Sequence, residues 1–172
     1  MDPSDVTPEW LTDRLRSAGA APDGGSITSF TAEAIGEGKV GRTFRFALEW
    51  DGPRGPDTVV GKFASDDEQS RMAGLLTGTY VREINFFHDL ADQVDIRMPT
   101  CHHAELDVAT GDFAILMADL APAEVGDQIT GCSVDDARAA LAELVGLHAP
   151  DLAGLESTEW LVAKRPEGAE AM

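Results

Sequence analysis

Residues 36–50 have the sequence GEGKVGRTFRFALEW, in which a glycine-rich segment runs directly into a segment of alternating polarity. The glycines follow the pattern G-x-G-x-x-G at Gly36, Gly38 and Gly41. Residues 42–50 then place a large apolar side chain at every second position, which is the period of a β-strand with one buried face. This stretch therefore predicts a glycine loop that leads into a strand.

The strand after the glycines distinguishes two kinds of glycine loop. In a dinucleotide-binding fold the glycines follow a strand and open a helix, but here residues 42–50 alternate with the period of a strand. In kinases a glycine loop joins two antiparallel strands and covers the phosphates of the nucleotide. The glycines alone are equally consistent with an ordinary hairpin turn, so the interpretation depends on the residues around them.

The rest of the chain predicts a sheet with covering helices. Strands are predicted at residues 26–35, 42–50, 58–64, 101–108 and 112–120. Helices are predicted at residues 8–19, 66–93 and 134–148, with Ser133 as the cap of the last one. Strands joined by tight turns pair antiparallel, and the 66–93 helix would cover one face of the sheet. The predicted fold class is α+β, with a five-stranded antiparallel sheet.

Lys62 and Glu83 form a candidate ion pair. Lys62 lies among apolar residues in the predicted strand 58–64, and Glu83 lies at the edge of the apolar stripe of the predicted helix 66–93. A buried charge is costly without a partner, so each side chain either reaches water or pairs with the other. Kinases use such a Lys–Glu pair to hold a lysine against nucleotide phosphates.

The predicted strand 112–120 ends in an acidic residue that is followed by a loop. In a kinase lobe, the last strand runs into the hinge between the two lobes, where backbone groups pair with the adenine edge. Residues 117–120, including Met117, Asp119 and Leu120, would form that hinge. The alternative is an ordinary edge strand.

The chain is strongly acidic, with 13 lysines and arginines against 31 aspartates and glutamates and a net charge of −18. Such a surface repels nucleic acid and anionic membranes, so neither is an expected partner. Residues 39–62 are the exception, because five basic residues there outnumber three acidic ones, which favours an anionic ligand or reflects a chance cluster of arginines. Without a membrane-spanning apolar run or a signal peptide layout, the sequence predicts a cytoplasmic protein.

Several segments of the sequence together resemble a known superfamily. They are GEGKVG, VVGKF, YVREINFFHDLA, IRMPTCHHAELD, FAILMADL, GDQITGCS and LAELVGLHA, in that order. They are similar to the aminoglycoside phosphotransferase and choline kinase superfamily, and within it to the ecdysteroid-kinase-like (CHK-like) group. The resemblance covers roughly residues 8–160. It implies a protein-kinase-like fold, ATP with Mg2+ as the phosphoryl donor, and a hydroxyl group of a small molecule as the acceptor.

The resemblance also implies a division of the chain and roles for its residues. Residues 1–120 would be the nucleotide-binding N-terminal lobe, and residues 121–172 the linker and first helix of a helical C-terminal lobe. Lys62 would contact the α- and β-phosphates and Glu83 would anchor Lys62. The nucleotide-binding residues implied are Gly36, Gly38, Gly41, Lys62, Glu83, Met117, Asp119 and Leu120. Asp127 and Gln128 match as well, but no role is assigned to them.

The sequence departs from the superfamily at the catalytic loop. Its members carry a segment resembling H-G-D-x-x-x-N and a later acidic magnesium ligand, and nothing in this sequence matches either. His148, for example, precedes alanine and proline. We therefore expect no catalytic residue and no metal ligand in this chain, and the Mg2+ ligands would belong to a C-terminal lobe that the sequence lacks.

Three hypotheses follow from this departure. The first is a phosphotransferase lobe that is truncated before its catalytic loop, and the second is a catalytically inactive nucleotide-binding or interaction module. The third is an unrelated acidic α+β scaffold, which requires every motif match to be accidental. Truncation predicts exposed apolar area at the hinge and on the helix at residues 134–148, and self-association through that surface.

Overall fold

Five β-strands form a single antiparallel sheet in the computed structural model, which describes residues 2–36, 38, 40–124, 126–127, 129–150 and 158–161. The strands are β1 (Ser26–Ala34), β2 (Gly41–Asp51), β3 (Thr58–Ala64), β4 (Cys101–Asp107) and β5 (Asp112–Ala118). Their order across the sheet is β1-β2-β3-β5-β4. The predicted α+β class and five-stranded antiparallel sheet are confirmed.

The first core lies between one face of the sheet and helix α1 (Pro8–Ser17). Leu11 and Leu15 of α1 are fully buried against Phe46, Leu48 and Phe63 of the sheet. Because β2 alternates, its large apolar side chains all face this core, as the sequence predicts. The polar positions of β2 consequently face the opposite side of the sheet, where Lys62 lies.

The second core lies on that opposite face and is built around helix α3 (Thr79–Asn85). Tyr80 and Ile84 of α3 pack with Phe113 and Ile115 of β5, and all four side chains are at most 5% exposed. The packing fixes α3 against β5 and the end of β3. It thereby determines where the carboxylate of Glu83, on the same helix, is presented.

The predicted continuous helix at residues 66–93 is wrong. Helix α2 (Glu68–Leu76) ends at Thr77, and α3 begins after Gly78, whose φ of +69° is left-handed. Glycine adopts this conformation without the steric cost that a side chain brings, and so it interrupts the helix. A π-helical turn (Phe86–Leu90) and a 3-10 turn (Ala91–Gln93) follow α3.

Helix α4 (Val134–His148) begins at the predicted cap, where Ser133 and Asp136 form a reciprocal capping box. One side of α4 attaches to the preceding segment, since Gly146 O accepts a 2.9 Å hydrogen bond from Asp95 N and Glu143 pairs with Arg97. The other side is exposed, with Leu141 at 64% and Val145 at 61%. The expectation of exposed apolar side chains on this helix is confirmed.

None of the helices among the described residues has both the length and the apolar character to cross a bilayer.

Candidate functional site

Lys62 and Glu83 are in direct contact. Lys62 extends from β3 and Glu83 from α3, and Nζ of the lysine lies 2.5 Å from Oε1 of the glutamate. The side chains are 31% and 26% exposed, so the pair lies at the boundary between the second core and solvent. The contact confirms the sequence-based pairing. Because an ammonium has further N–H donors and this side chain is partly exposed, Lys62 can also bind an anion from solvent.

The glycine loop connects β1 to β2 beside this pair. Gly36 is left-handed with a φ of +74°, and a side-chain carbon at Gly38 would lie only 2.3 Å from Gly41 O. At Gly41 such a carbon would lie 2.9 Å from Phe63 O and 3.4 Å from Lys62 Cε. Glycine at these positions therefore lets the backbone fold closely on itself and approach the lysine. Residues 37 and 39 of the loop lie outside the described residues.

Tyr80 links the glycine loop to helix α3. Its hydroxyl group donates a 2.5 Å hydrogen bond to Val40 O at the end of the loop, and its side chain is 1% exposed. Burial raises the pKa of Tyr80 above the ordinary tyrosine value, which is itself well above neutral pH, so the hydroxyl group carries its proton. We had not predicted Tyr80 as a site residue. The sequence contains two indications of this role. A buried tyrosine hydroxyl group needs a hydrogen-bond partner, and Tyr80 lies three residues before Glu83 on one helix.

Strand register shows which residues lie between Lys62 and the C-terminal end of β5. Thr43 of β2 lies opposite Lys62, while Val60 lies between Arg45 of β2 and Met117 of β5. Directly opposed residues project from the same face of a sheet. The face that carries Lys62 therefore presents Val60, Arg45 and Met117 towards the C-terminal end of β5, and the glycine loop on the other side. Thr43, Arg45 and Val60 were not predicted as site residues, because their placement depends on the register.

Asp119, which directly follows β5, is held by Arg45. Its carboxylate accepts hydrogen bonds from Arg45 at 2.7 and 3.2 Å and from Ala121 N at 3.0 Å, and its side chain is 5% exposed. The Arg45 guanidinium holds the pKa of Asp119 below its usual value, and the Ala121 amide and Thr58 hydroxyl act in the same direction against the effect of burial. The carboxylate thus fixes the segment that follows β5 to β2. Leu120, the next residue, is 55% exposed.

The basic island at residues 39–62 is largely neutralised by neighbouring carboxylates. Arg42 contacts Asp2 at 2.6 Å and Asp66 at 3.4 Å, and Arg54 contacts Asp57 at 2.9 Å. Arg45 is bound to Asp119, as described above, and Lys39 lies outside the described residues. Anion binding in this region is therefore expected from Lys62 and the loop backbone rather than from the arginines.

The sequence-predicted residues fall into two groups on one face of the sheet. Gly41 and Glu83 both lie beside Lys62, where the structure brings the three together. Met117, Asp119 and Leu120 lie at the end of β5, on the far side of Val60. Among the described residues, no three His, Cys, Asp or Glu side chains are grouped so that they could hold a metal ion.

A concave surface lies away from the Lys62–Glu83 pair, at the junction of α2 and α3. This groove of about 500 Å³ is lined by Leu75, Leu76, Gly78, Val81, Arg82 and Trp160. None of the predicted site residues contributes to it. The paired charges and the close glycine backbone occur at Lys62, so we place the candidate site there.

Comparison with known proteins provides no assignment, because no family model, curated protein or solved structure matches the chain.

Substitution of Asp119 should reveal how much the Arg45–Asp119 ion pair contributes to stability. The pKa of Asp119 is lower in the folded state than the value of about 4 expected in the unfolded chain. The contribution of Asp119 to the free energy of unfolding is therefore complete above the unfolded pKa and is lost as pH falls through the folded pKa. Asp119→Asn should reduce the free energy of unfolding at pH 7 by about 2 kcal/mol, the typical contribution of hydrogen bonds to a charged group. The difference should shrink below pH 4 in urea titrations.

Asp57→Asn is the matched control, because Asp57 is 80% exposed in its pair with Arg54. It should leave the unfolding curve unchanged, since exposed ion pairs contribute little. Equal stability of Asp119→Asn and wild type at pH 7 would contradict a structural role for Asp119.

Proposed function

We propose that this chain is the nucleotide-binding lobe of an ATP-dependent small-molecule phosphotransferase. The observation that carries the proposal is the 2.5 Å contact between Lys62 and Glu83, directly beside the close-packed backbone of Gly41. Each of these residues has an ordinary structural explanation by itself. Their convergence at one partly exposed point is what a phosphate-binding site requires, because a fixed ammonium and backbone N–H groups are complementary to a polyphosphate.

Charged and apolar residues lie at different places along this face of the sheet, and this distribution determines how ATP would be oriented. The phosphates would contact Lys62 and the glycine loop, and the base would extend along β3 towards the hinge. At that level the sheet presents Val60, which is 8% exposed, and the half-buried Met117, which together form an apolar surface suited to a base. Glu83 would hold Lys62 in place. The residues present therefore fit the nucleotide.

For Mg2+, in contrast, the described residues do not form a binding site. The only carboxylate found at Lys62 among the described residues is that of Glu83, and it is engaged by the lysine. The described residues thus offer no ligand set for the ion, which would enter bound to the phosphates of ATP. Further ligands would come from another part of the enzyme.

Phosphoryl transfer requires a catalytic loop, and no segment of this sequence matches the H-G-D-x-x-x-N pattern. An aspartate must orient the acceptor hydroxyl, and acidic or amide side chains must hold the metal. We propose that a second lobe supplies them, from a longer polypeptide or from a separate chain, and that the acceptor is a small-molecule hydroxyl. The exposed apolar side chains of Leu120, Leu141 and Val145 are suited to pack against such a lobe.

The second candidate function is an inactive nucleotide-binding or interaction module. The absence of an H-G-D-x-x-x-N segment from the sequence favours it. A nucleotide-binding module would use the same site as the first candidate, and the two would differ in whether a partner lobe restores transfer. Addition of a complementary lobe that restores ATP consumption would favour the first candidate over the second.

Isothermal titration calorimetry with ATP and Mg2+ tests the proposal. We expect one binding site with a Kd between about 1 μM and 1 mM, the usual range of enzyme–substrate affinities. Inorganic tripolyphosphate with Mg2+ should bind at the same site, and adenosine should bind far more weakly because it lacks phosphates. No heat with ATP, or equal affinities for adenosine and ATP, would contradict the proposal.

A further inference from the structure

Tyr80 connects helix α3 to the glycine loop by a hydrogen bond. Its hydroxyl group donates to Val40 O at 2.5 Å. Val40 immediately precedes Gly41, whose backbone lies next to Lys62 Cε. The contact therefore attaches α3 to the loop at the point where the loop meets the lysine.

The ring of Tyr80 is held from two sides. It stacks on Phe113 of β5 with ring centroids 4.3 Å apart, and a side-chain carbon at Gly74 of α2 would lie 2.4 Å from Tyr80 Cζ. Because the interior is close-packed, the ring has no room to change its position. The hydroxyl group is thus presented to Val40 O in a fixed place.

Tyr80 and Glu83 are three residues apart on α3 and therefore lie on neighbouring positions of one helical face. Tyr80 contacts the glycine loop, and Glu83 contacts the lysine at 2.5 Å. A single short helix consequently holds both parts of the candidate site. Any displacement of α3 would alter both contacts together.

The Lys62–Glu83 pair does not by itself place the loop. The base of the loop is closed by the hydrogen bond from Ile35 N to Thr43 O at 2.9 Å, but Val40 lies beyond that closure. Loss of the Tyr80 hydroxyl would leave Val40 O without this partner. A poorly paired backbone group at the edge of a core favours local opening of the segment.

We propose that Tyr80 is the positioning residue that fixes the glycine loop beside Lys62, so that helix α3 sets the loop and the lysine together. Tyr80 acts through Val40 and does not touch the nucleotide. The inference rests on the proposed function for its effect on ATP binding, whereas the anchoring of the loop is a property of the chain alone.

Tyr80→Phe removes the hydroxyl and keeps the ring, so the packing against Phe113 and Gly74 is retained. NMR-detected hydrogen exchange of the full chain should show Val40 and Gly41 amides exchanging about tenfold faster than in wild type, the effect of losing one hydrogen bond. Amides of α1 should be unchanged. In calorimetry, the affinity for tripolyphosphate with Mg2+ should fall by a similar factor.

Thr12→Val is the matched control. Thr12 is 5% exposed and accepts a 2.9 Å hydrogen bond from Ile27 N on the other face of the sheet. This variant also loses a buried hydroxyl group, but it should change neither loop exchange nor phosphate affinity.

Unchanged exchange at Val40 and Gly41 in Tyr80→Phe would overturn the inference, as would a uniform rise across the chain, which indicates general destabilisation. If loop exchange rises but affinity does not, Tyr80 anchors the loop without positioning it for phosphate, and the inference is also overturned. If the wild type binds neither ATP nor tripolyphosphate, the proposed function is wrong, and so is the predicted effect of Tyr80→Phe on phosphate affinity. The exchange data would still decide whether Tyr80 anchors the loop.

Discussion

Lys62→Ala should weaken the binding of ATP with Mg2+ by roughly ten- to hundredfold, which corresponds to the loss of one charge-assisted contact. The substitution removes the ammonium that would contact the phosphates. It also leaves the Glu83 carboxylate without its partner, and an unpaired carboxylate repels a polyphosphate. Glu83→Gln should have a smaller effect, because it keeps the lysine and removes only its charged anchor.

Arg54→Ala is the control for general electrostatics, because it changes the net charge by the same amount. Arg54 pairs with Asp57 at the turn between β2 and β3, at the opposite end of the hairpin from the glycine loop. Calorimetry should give this variant the affinity of wild type. Equal losses in the two variants would show that ATP responds to net charge and would contradict a specific role for Lys62.

Phe63→Ala should lower the free energy of unfolding by about 4 kcal/mol, the usual cost of removing a buried aromatic ring. Phe63 is adjacent to Lys62 in β3 but points into the opposite core, where it is fully buried. Its ring contacts those of Phe44 and Phe46, with centroids 6.3 and 6.2 Å away. Urea denaturation measures the loss, which is a large share of the stability of a typical domain.

Leu76→Ala is the corresponding surface control, since Leu76 is 81% exposed. It should change the free energy of unfolding by less than about 0.5 kcal/mol, as expected for a surface site. A Phe63→Ala variant as stable as Leu76→Ala would contradict the assignment of the first core. Phe63→Ala and Lys62→Ala therefore probe opposite faces of the sheet, the first by its effect on stability and the second by its effect on ligand binding.

Strands were predicted well because their periodicity is local. The alternation around Phe44 and Phe46 determines which side of β2 is buried, and β3 has the bounds that its apolar segment predicts. The break between α2 and α3 was missed for a different reason. The apolar spacing of four and three residues continues across Gly78, although the left-handed backbone of Gly78 ends the first helix and Tyr80 of the second packs against Gly74 and Phe113.

The contact between Lys62 and Glu83 could be predicted from the sequence because each charged residue needs a partner of opposite charge. Lys62 in an apolar strand and Glu83 at a stripe edge each need a partner, and together they predict their contact. The partners of Asp119 and Tyr80 were not predictable in this way, because Arg45 is 74 residues from Asp119 and Val40 is 40 residues from Tyr80. Those contacts depend on strand register and helix placement, which a single sequence does not determine.

The most direct test is to map the ATP site by the backbone amide shifts of the isotope-labelled chain during titration with ATP and Mg2+. The account predicts that the largest shifts occur at Gly36, Gly38, Gly41 and Lys62, with smaller shifts at Leu120 in the hinge. Shifts confined to the groove at Leu76, Gly78 and Trp160, or none at saturating ATP, would contradict a nucleotide site at the Lys62–Glu83 pair.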